Sequence, residues 1–305
     1  MKLIIQICFI LAITIGCSSE QRKTDTKNKA VEQVERARVF DYQPPIPVKG
    51  TLYAAIELGA LGLNYFIAEI DAQKRWQLIN ASYGRSNIIY GVNTTREILD
   101  KIDEFRKEIL TKGVARKNIH ILASSSAVRA DIISEIKSGL ANDNLAINSI
   151  DAKTEAEYAL IATIPKEFIG ESFLVDIGSG NSKIAWVEND DTLNIEIHGS
   201  KYFLGDIQDT TVFREVRDAL LEVPEKNRHL CFMLGGMIYE FMKDEIEDSE
   251  NRYFVLGKPS TYPSDNEKLR AGNVIYNALY LEPTYSYIFD SESNFSIGFL
   301  LSLEE

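Results

Sequence analysis

The sequence predicts an α/β protein made of two similar lobes that face each other across a cleft. Three observations carry that expectation. Both halves open with an apolar strand ending in an acidic residue and a glycine turn, Ile56-Glu57-Leu58-Gly59 and Val175-Asp176-Ile177-Gly178. Both then run through two more short apolar segments, and in both, helix and strand alternate afterwards. The same grammar written twice predicts a tandem duplication.

In the first half, Leu52 to Leu58, Leu63 to Ile70 and Arg75 to Tyr83 read as three strands of an antiparallel meander. Thr94 with Glu97 three residues on is a capping box. Ile98, Ile102, Phe105 and Ile109 then follow at helical spacing, and Gly113 marks the stop. A strand from Ile119 to Ala123, a helix around Ser126 to Leu140, a strand near Leu145 to Ile150 and a helix from about Thr154 to Ala162 complete the lobe. The second half gives strands at Phe173 to Asp176, Lys183 to Glu188 and Leu193 to Gly199. A helix around Ile207 to Leu221, the strand Leu230 to Leu234, and helix through Met242 after Gly235-Gly236 complete the pattern, and a further helix opens near Arg270.

Composition narrows the function classes. The 305 residues are 45% hydrophobic, enough to build a core, and the 45 Asp and Glu against 33 Lys and Arg give a net charge of -12. That balance excludes a general nucleic-acid binder, which needs clustered cations. His120, His198 and His229 share no ligand spacing, and Cys231 lies in the apolar run Leu230-Cys231-Phe232-Met233-Leu234, which reads as core.

The N-terminus divides from the fold. Met1-Lys2, the apolar run Leu3 to Ile15 and Gly16-Cys17-Ser18-Ser19 resemble a bacterial lipoprotein signal. That implies a signal peptide over 1–16, lipidation at Cys17, and a chain held extracytoplasmically on the bacterial cell envelope. The run is short for a bilayer span. Residues 17–49 read as a flexible tether, polar to Val39 and stiffened by Pro44, Pro45 and Pro47, with lobes over 50–165 and 166–305.

Four segments in order carry a closer resemblance. They are Ala55-Ile56-Glu57-Leu58-Gly59-Ala60-Leu61-Gly62, Ser124-Ser125-Ser126-Ala127-Val128-Arg129, Thr154-Glu155-Ala156, and Asp176-Ile177-Gly178-Ser179-Gly180-Asn181-Ser182-Lys183. Together they resemble the exopolyphosphatase and guanosine pentaphosphate phosphohydrolase family, of the actin, hexokinase and Hsp70 superfamily. The resemblance implies two ribonuclease-H-like lobes and hydrolysis of polyphosphate or a related phosphoanhydride. It implies Glu155 as the base that activates water, Arg129 on phosphate oxygens, and Asp176 and Glu57 at a Mg²⁺ site. The turn Gly178, Ser179, Gly180, Asn181, Ser182 with Lys183 would cradle phosphate, since glycines let backbone N–H groups approach an anion. Taken alone, that turn is also an ordinary hairpin connection.

Departures from the family pattern fall inside this site. Glu57 replaces an Asp, Ala60-Leu61-Gly62 replaces Ser-Asn-Ser, Asn64 stands where a basic residue is usual, and Lys183 replaces a metal-associated Glu. A cation repels Mg²⁺ where an acceptor is needed. The closing segment Ser296 to Leu301 resembles the family's without its Arg-Glu pair, and the resemblance implies a member expected to lack the C-terminal helical domains of longer ones. Two readings therefore stand: a phosphohydrolase, or an inactive phosphate- or polyanion-binding or scaffold module of the same fold.

Overall fold

Residues 40–303, apart from 87, 89–90, 248, 263–264, 281–283 and 285, are described by a computed structural model. The expected signal segment, Cys17 and the tether as far as residue 39 lie outside the described residues.

The first sheet holds β1 (Thr51–Leu58), β2 (Gly62–Ile70), β3 (Trp76–Arg85), β4 (Ile119–Ala123) and β5 (Ile147–Ser149) in the order β3-β2-β1-β4-β5. The meander is antiparallel and β4 and β5 are parallel to β1. The second sheet repeats this plan. Its strands β6 (Ser172–Ile177), β7 (Asn181–Glu188) and β8 (Asp191–His198) form the meander. Strand β9 (Leu230–Leu234) runs parallel to β6, and two short strands, β10 (Tyr253–Val255) and β11 (Ser286–Asp290), extend the far side to give β10-β11-β9-β6-β7-β8. The duplication read from the sequence is thus a duplication of topology, with β10 added at one edge.

Helices cover the sheets where apolar spacing places them. In α1 (Thr95–Thr111) the capping box of Thr94 and Glu97 is formed, and Ile98, Ile102, Phe105 and Ile109 are its buried face. The stretch expected as one helix from Ser126 to Leu140 is instead a 3₁₀ turn at Ala127–Arg129, then α2 (Ile133–Asn142). Ala130 between them is extended, which ends the first turn. Helix α3 (Ala152–Thr163) begins earlier than expected, because the Asp151 side chain caps the Thr154 N–H. The second lobe carries α4 (Asp209–Glu222), α5 (Gly236–Glu247), α6 (Glu267–Leu279) and the C-terminal α7 (Phe295–Ser302).

The lobes are tied together by α3 and α7, so the boundary near residue 165 is crossed in both directions. Helix α7 packs on α3 and on β1 and β2, while α3 also touches β6, β7 and β8. Close approach is possible because α7 presents Gly298 to α3, where a Cβ would come 1.8 Å from the Tyr158 carbonyl oxygen. A buried Arg252 adds a polar tie. It donates to both carboxylate oxygens of Asp290 at 2.6 to 3.0 Å and to the Ala162 carbonyl at 2.7 Å, and it lies 3.9 Å from the Trp76 ring centroid. Phe40 and Tyr42, expected in the tether, are folded against this body. The Phe40 ring lies 5.3 to 5.5 Å from Phe168, Phe232 and Tyr253, an apolar anchorage that moves the domain start ahead of Gly50.

Candidate functional site

The two sheets bring the C-terminal ends of β1 and β6 together, where open α/β sheets place their ligands. Glu57 and Asp176 hold corresponding positions there. Glu57 faces Asn64 across one hairpin and Leu122 on the parallel strand, and Asp176 faces Lys183 and Leu234 in the same way. The first turn of α3 supplies Glu155 to the same place. Four groups singled out in the sequence, Glu57, Glu155, Asp176 and Lys183, therefore meet in one buried cluster between the two sheets.

Their centre is an ion pair. Lys183 Nζ donates to Glu155 Oε1 at 2.7 Å, with side chains only 2% and 7% exposed. The other carboxylate oxygen accepts the Ser125 N–H at 2.7 Å. Burial alone would lower the Lys183 pKa, but the charges of Glu155 and Asp176 and the hydrogen bond to Glu155 outweigh it, and the ammonium is held above the ordinary lysine range. Burial raises the Asp176 carboxyl, with Lys183 opposing and Glu155 adding to the rise. The Glu57 carboxyl is pushed up to about 7, first by burial, with the Ser296 hydroxyl opposing, Glu155 and Asp176 adding, and Lys183 opposing. Ser296, in the first turn of α7, donates to Glu57 Oε2 at 2.9 Å.

The glycine turns border this group. At Gly178 a Cβ would lie 2.3 Å from the Asn181 carbonyl oxygen, so the tight bend requires glycine. Gly235, at φ 111°, lets the chain pass against Ile177, where a Cβ would lie 2.3 Å from the carbonyl oxygen. The second turn touches the other lobe: Asn181 Nδ2 is 3.4 Å from Ser125 Oγ, and Gly180 abuts Ser126. Ser179 lies in the turn and accepts the Lys201 N–H at 3.1 Å, beside Ser200 N–H on Gly178 at 2.9 Å. Ser182 is set apart. It pairs with Ile177 and so belongs to the face of β7 opposite Lys183, and its buried hydroxyl finds no partner among the described residues.

Arg129 stands at the rim. Its Nε donates to the Ser125 carbonyl at 3.2 Å and its guanidinium to Glu196 Oε1 at 3.2 Å, both side chains more than a third exposed. Glu196 lies directly across from Lys183 on β8, so the pair bridges the lobes. Sequence reasoning missed Ser125 and Ser296 as site residues, since each acts through a fold contact with no local signal. It also missed a basic group. Arg85 sits opposite Gly62 of the first turn, Lys201 adjoins the second, and Lys268 opens α6. They are near enough that, after burial, Lys268 and Arg85 lower the Lys201 pKa. Among the described residues none of the three is in an ion pair.

The Mg²⁺ implied by the resemblance does not fit these residues. A hard dication needs a shell of oxygen donors. Here Glu155 is committed to an ammonium and an amide, and Lys183 is the cross-strand neighbour of Asp176. Among the described residues no three His, Cys, Asp or Glu groups are placed to hold a metal ion.

No family model matches the chain and no curated protein matches it. Solved structures do. A Ppx/GppA family member from Aquifex aeolicus is similar over 83% of this chain and 97% of its own, at 17% identity and a TM-score of 0.64. Another structure of the Aquifex aeolicus PPX-GPPA enzyme gives 17% identity and 0.65 over 83% and 99%. An exopolyphosphatase from Cytophaga hutchinsonii gives 13% and 0.62 over 83% and 99%. The described chain therefore has the two-lobed fold of the Ppx/GppA exopolyphosphatases.

Proposed function

We propose that this chain is an exopolyphosphatase-like protein that binds phosphate-rich anions at its cleft without hydrolysing them. The observation that carries this reading is the buried pair of Lys183 and Glu155. Hydrolysis of a phosphoanhydride needs a group that accepts a proton from water and positive charge on the phosphate oxygens. With the Lys183 ammonium on one oxygen and the Ser125 N–H on the other, both Glu155 oxygens are already occupied, and neither is free to orient a water. The same ammonium repels the dication that phosphate chemistry would otherwise use.

Anion affinity rests on the mouth of the cleft. Among the described residues Arg85 and Lys201, one beside each glycine turn, and Lys268 have no acidic partner, in a chain of net charge -12. Polyphosphate or another phosphoanhydride offers the repeated negative charge that such a group recognises. With Cys17 lipidated, the module would display this mouth at the cell envelope.

A second reading is favoured by one observation, the convergence of Glu155, Asp176 and the 178–182 turn. In it Glu155 takes the proton of a water whose oxygen attacks the terminal phosphorus, and the P–O bond to the chain breaks to release orthophosphate. Lys183 neutralises the phosphate. Incubating the full-length chain with polyphosphate, with and without Mg²⁺, separates the two. The proposal expects saturable binding, weakened by Arg85→Glu with Lys201→Glu, and no orthophosphate. Orthophosphate release that Glu155→Gln abolishes would establish the second reading, and absence of binding would remove the first.

A further inference from the structure

A second surface lies away from the cleft chemistry, on the outer edge of β8. Strand β8 ends its sheet, and among the described residues no strand pairs with its free side. A groove of about 650 Å³ runs between Ile195 and Ile197 of this strand and one stripe of α4. The stripe carries Glu215, Asp218 and Glu222, with Arg214 as the one cation lining the groove among the described residues. Spacings of three and four residues put these carboxylates on one face of the helix.

The backbone phase of β8 is fixed by one contact. The His198 N–H donates to Glu215 Oε2 at 3.1 Å, so it points away from β7. The β7 to β8 register runs without a shift from Asn181 opposite His198 to Glu188 opposite Asp191. Antiparallel ladders alternate inward and outward pairs. Glu196, Asn194 and Thr192 therefore also turn their N–H and C=O groups to the open side. An edge whose outward groups at three residues meet no other strand among the described residues is a template for an added strand.

From this we infer that the groove between β8 and α4 is a docking site for an extended basic peptide, which pairs with β8 and places Lys or Arg side chains on the α4 carboxylates. Charge selects this occupant. Among the described residues four carboxylates line the groove against Arg214; Glu196 pairs with Arg129 and Glu215 accepts the His198 N–H, so Asp218 and Glu222 supply most of the attraction for cations on a chain of net charge -12. A metal ion is a poor alternative, since among the described residues no three acidic groups are placed to share one. Dimensions agree with a strand. Alternate strand residues recur about every 6.8 Å and helix turns every 5.4 Å, a difference that long basic side chains absorb.

The test is fluorescence anisotropy of the full-length chain with a labelled octapeptide of alternating lysine and threonine. The control is an isomeric-charge peptide in which two threonines are replaced by proline. The proposal expects saturable binding with a Kd below about 100 µM in low salt, lost with the proline peptide. Asp218→Lys with Glu222→Lys should weaken it about tenfold, as two attractions become repulsions. Asn194→Pro, which removes one outward N–H, should abolish it, and circular dichroism confirms that both variants are folded. No saturable binding by the folded wild-type chain would overturn the proposal, as would equal binding of the proline peptide. A dimer in sedimentation equilibrium that Asn194→Pro dissolves would show the edge to be taken by a second copy, and would overturn it too.

Discussion

Replacing Lys183 by methionine removes the ammonium and keeps much of the side-chain volume. At an effective dielectric of about 20, the 2.7 Å contact with Glu155 gives about 6 kcal/mol of Coulomb attraction. Desolvating the two ions costs several kcal/mol each, so the intact pair is close to neutral in net stability. The single variant is not neutral, because it leaves Glu155 buried without its counter-charge and close to Asp176 and Glu57. Breaking a buried pair in this way costs about 3 to 5 kcal/mol. Urea denaturation followed by tryptophan fluorescence at pH 7.5 should show that loss. Lys183→Met with Glu155→Gln should recover about half of it, since the neutral amide keeps its acceptor for Ser125 N–H. A loss below about 1 kcal/mol for Lys183→Met would refute the reasoning.

Three further outcomes follow from other contacts. Glu57 is pushed up to about 7 from an ordinary 4.5, so the folded state holds a proton that the unfolded chain has released. Stability should therefore fall as pH rises from about 4.5 to 7, by at most about 3 kcal/mol, and Glu57→Gln should flatten that slope in denaturation curves across pH. Gly298→Ala sets a Cβ against the Tyr158 carbonyl and should destabilise by about 3 kcal/mol or more, seen as a lowered thermal midpoint. Arg252→Met strands the buried Asp290 carboxylate and should cost about 3 to 5 kcal/mol in urea denaturation, with Asp290→Asn in the same chain recovering part of it.

The topology was legible because it rests on local rules applied twice. Each meander announces itself by apolar alternation, and α1 by its capping box, which the structure reproduces. Strands β4 and β9 fall at the residues the apolar runs indicate. Strands β10 and β11 were not read from the sequence, since runs of three and five residues are too short to show a period and are defined by their partners. The break at Ala130 is likewise unmarked in the sequence.

The site was legible by position and opaque in its pairing. Glu57 and Asp176 could be located because each ends the first strand of its sheet. That Lys183 would reach Glu155, rather than solvent, depends on how α3 of one lobe meets β7 of the other, which no local pattern encodes. Arg129 shows the same limit, for its partner Glu196 lies 67 residues away on the opposite lobe. Ser182, adjacent to Lys183 in the chain, lies on the opposite face of β7 because strand side chains alternate.

If Lys183 stands in place of a metal ion, the groups around it among the described residues offer no dication site. Isothermal titration of Mg²⁺ into the full-length chain tests it most directly, beside the Lys183→Glu variant. No saturable heat and no change in thermal midpoint are expected for the wild-type chain at millimolar Mg²⁺. Saturable Mg²⁺ binding by the wild-type chain that Asp176→Asn removes would contradict it.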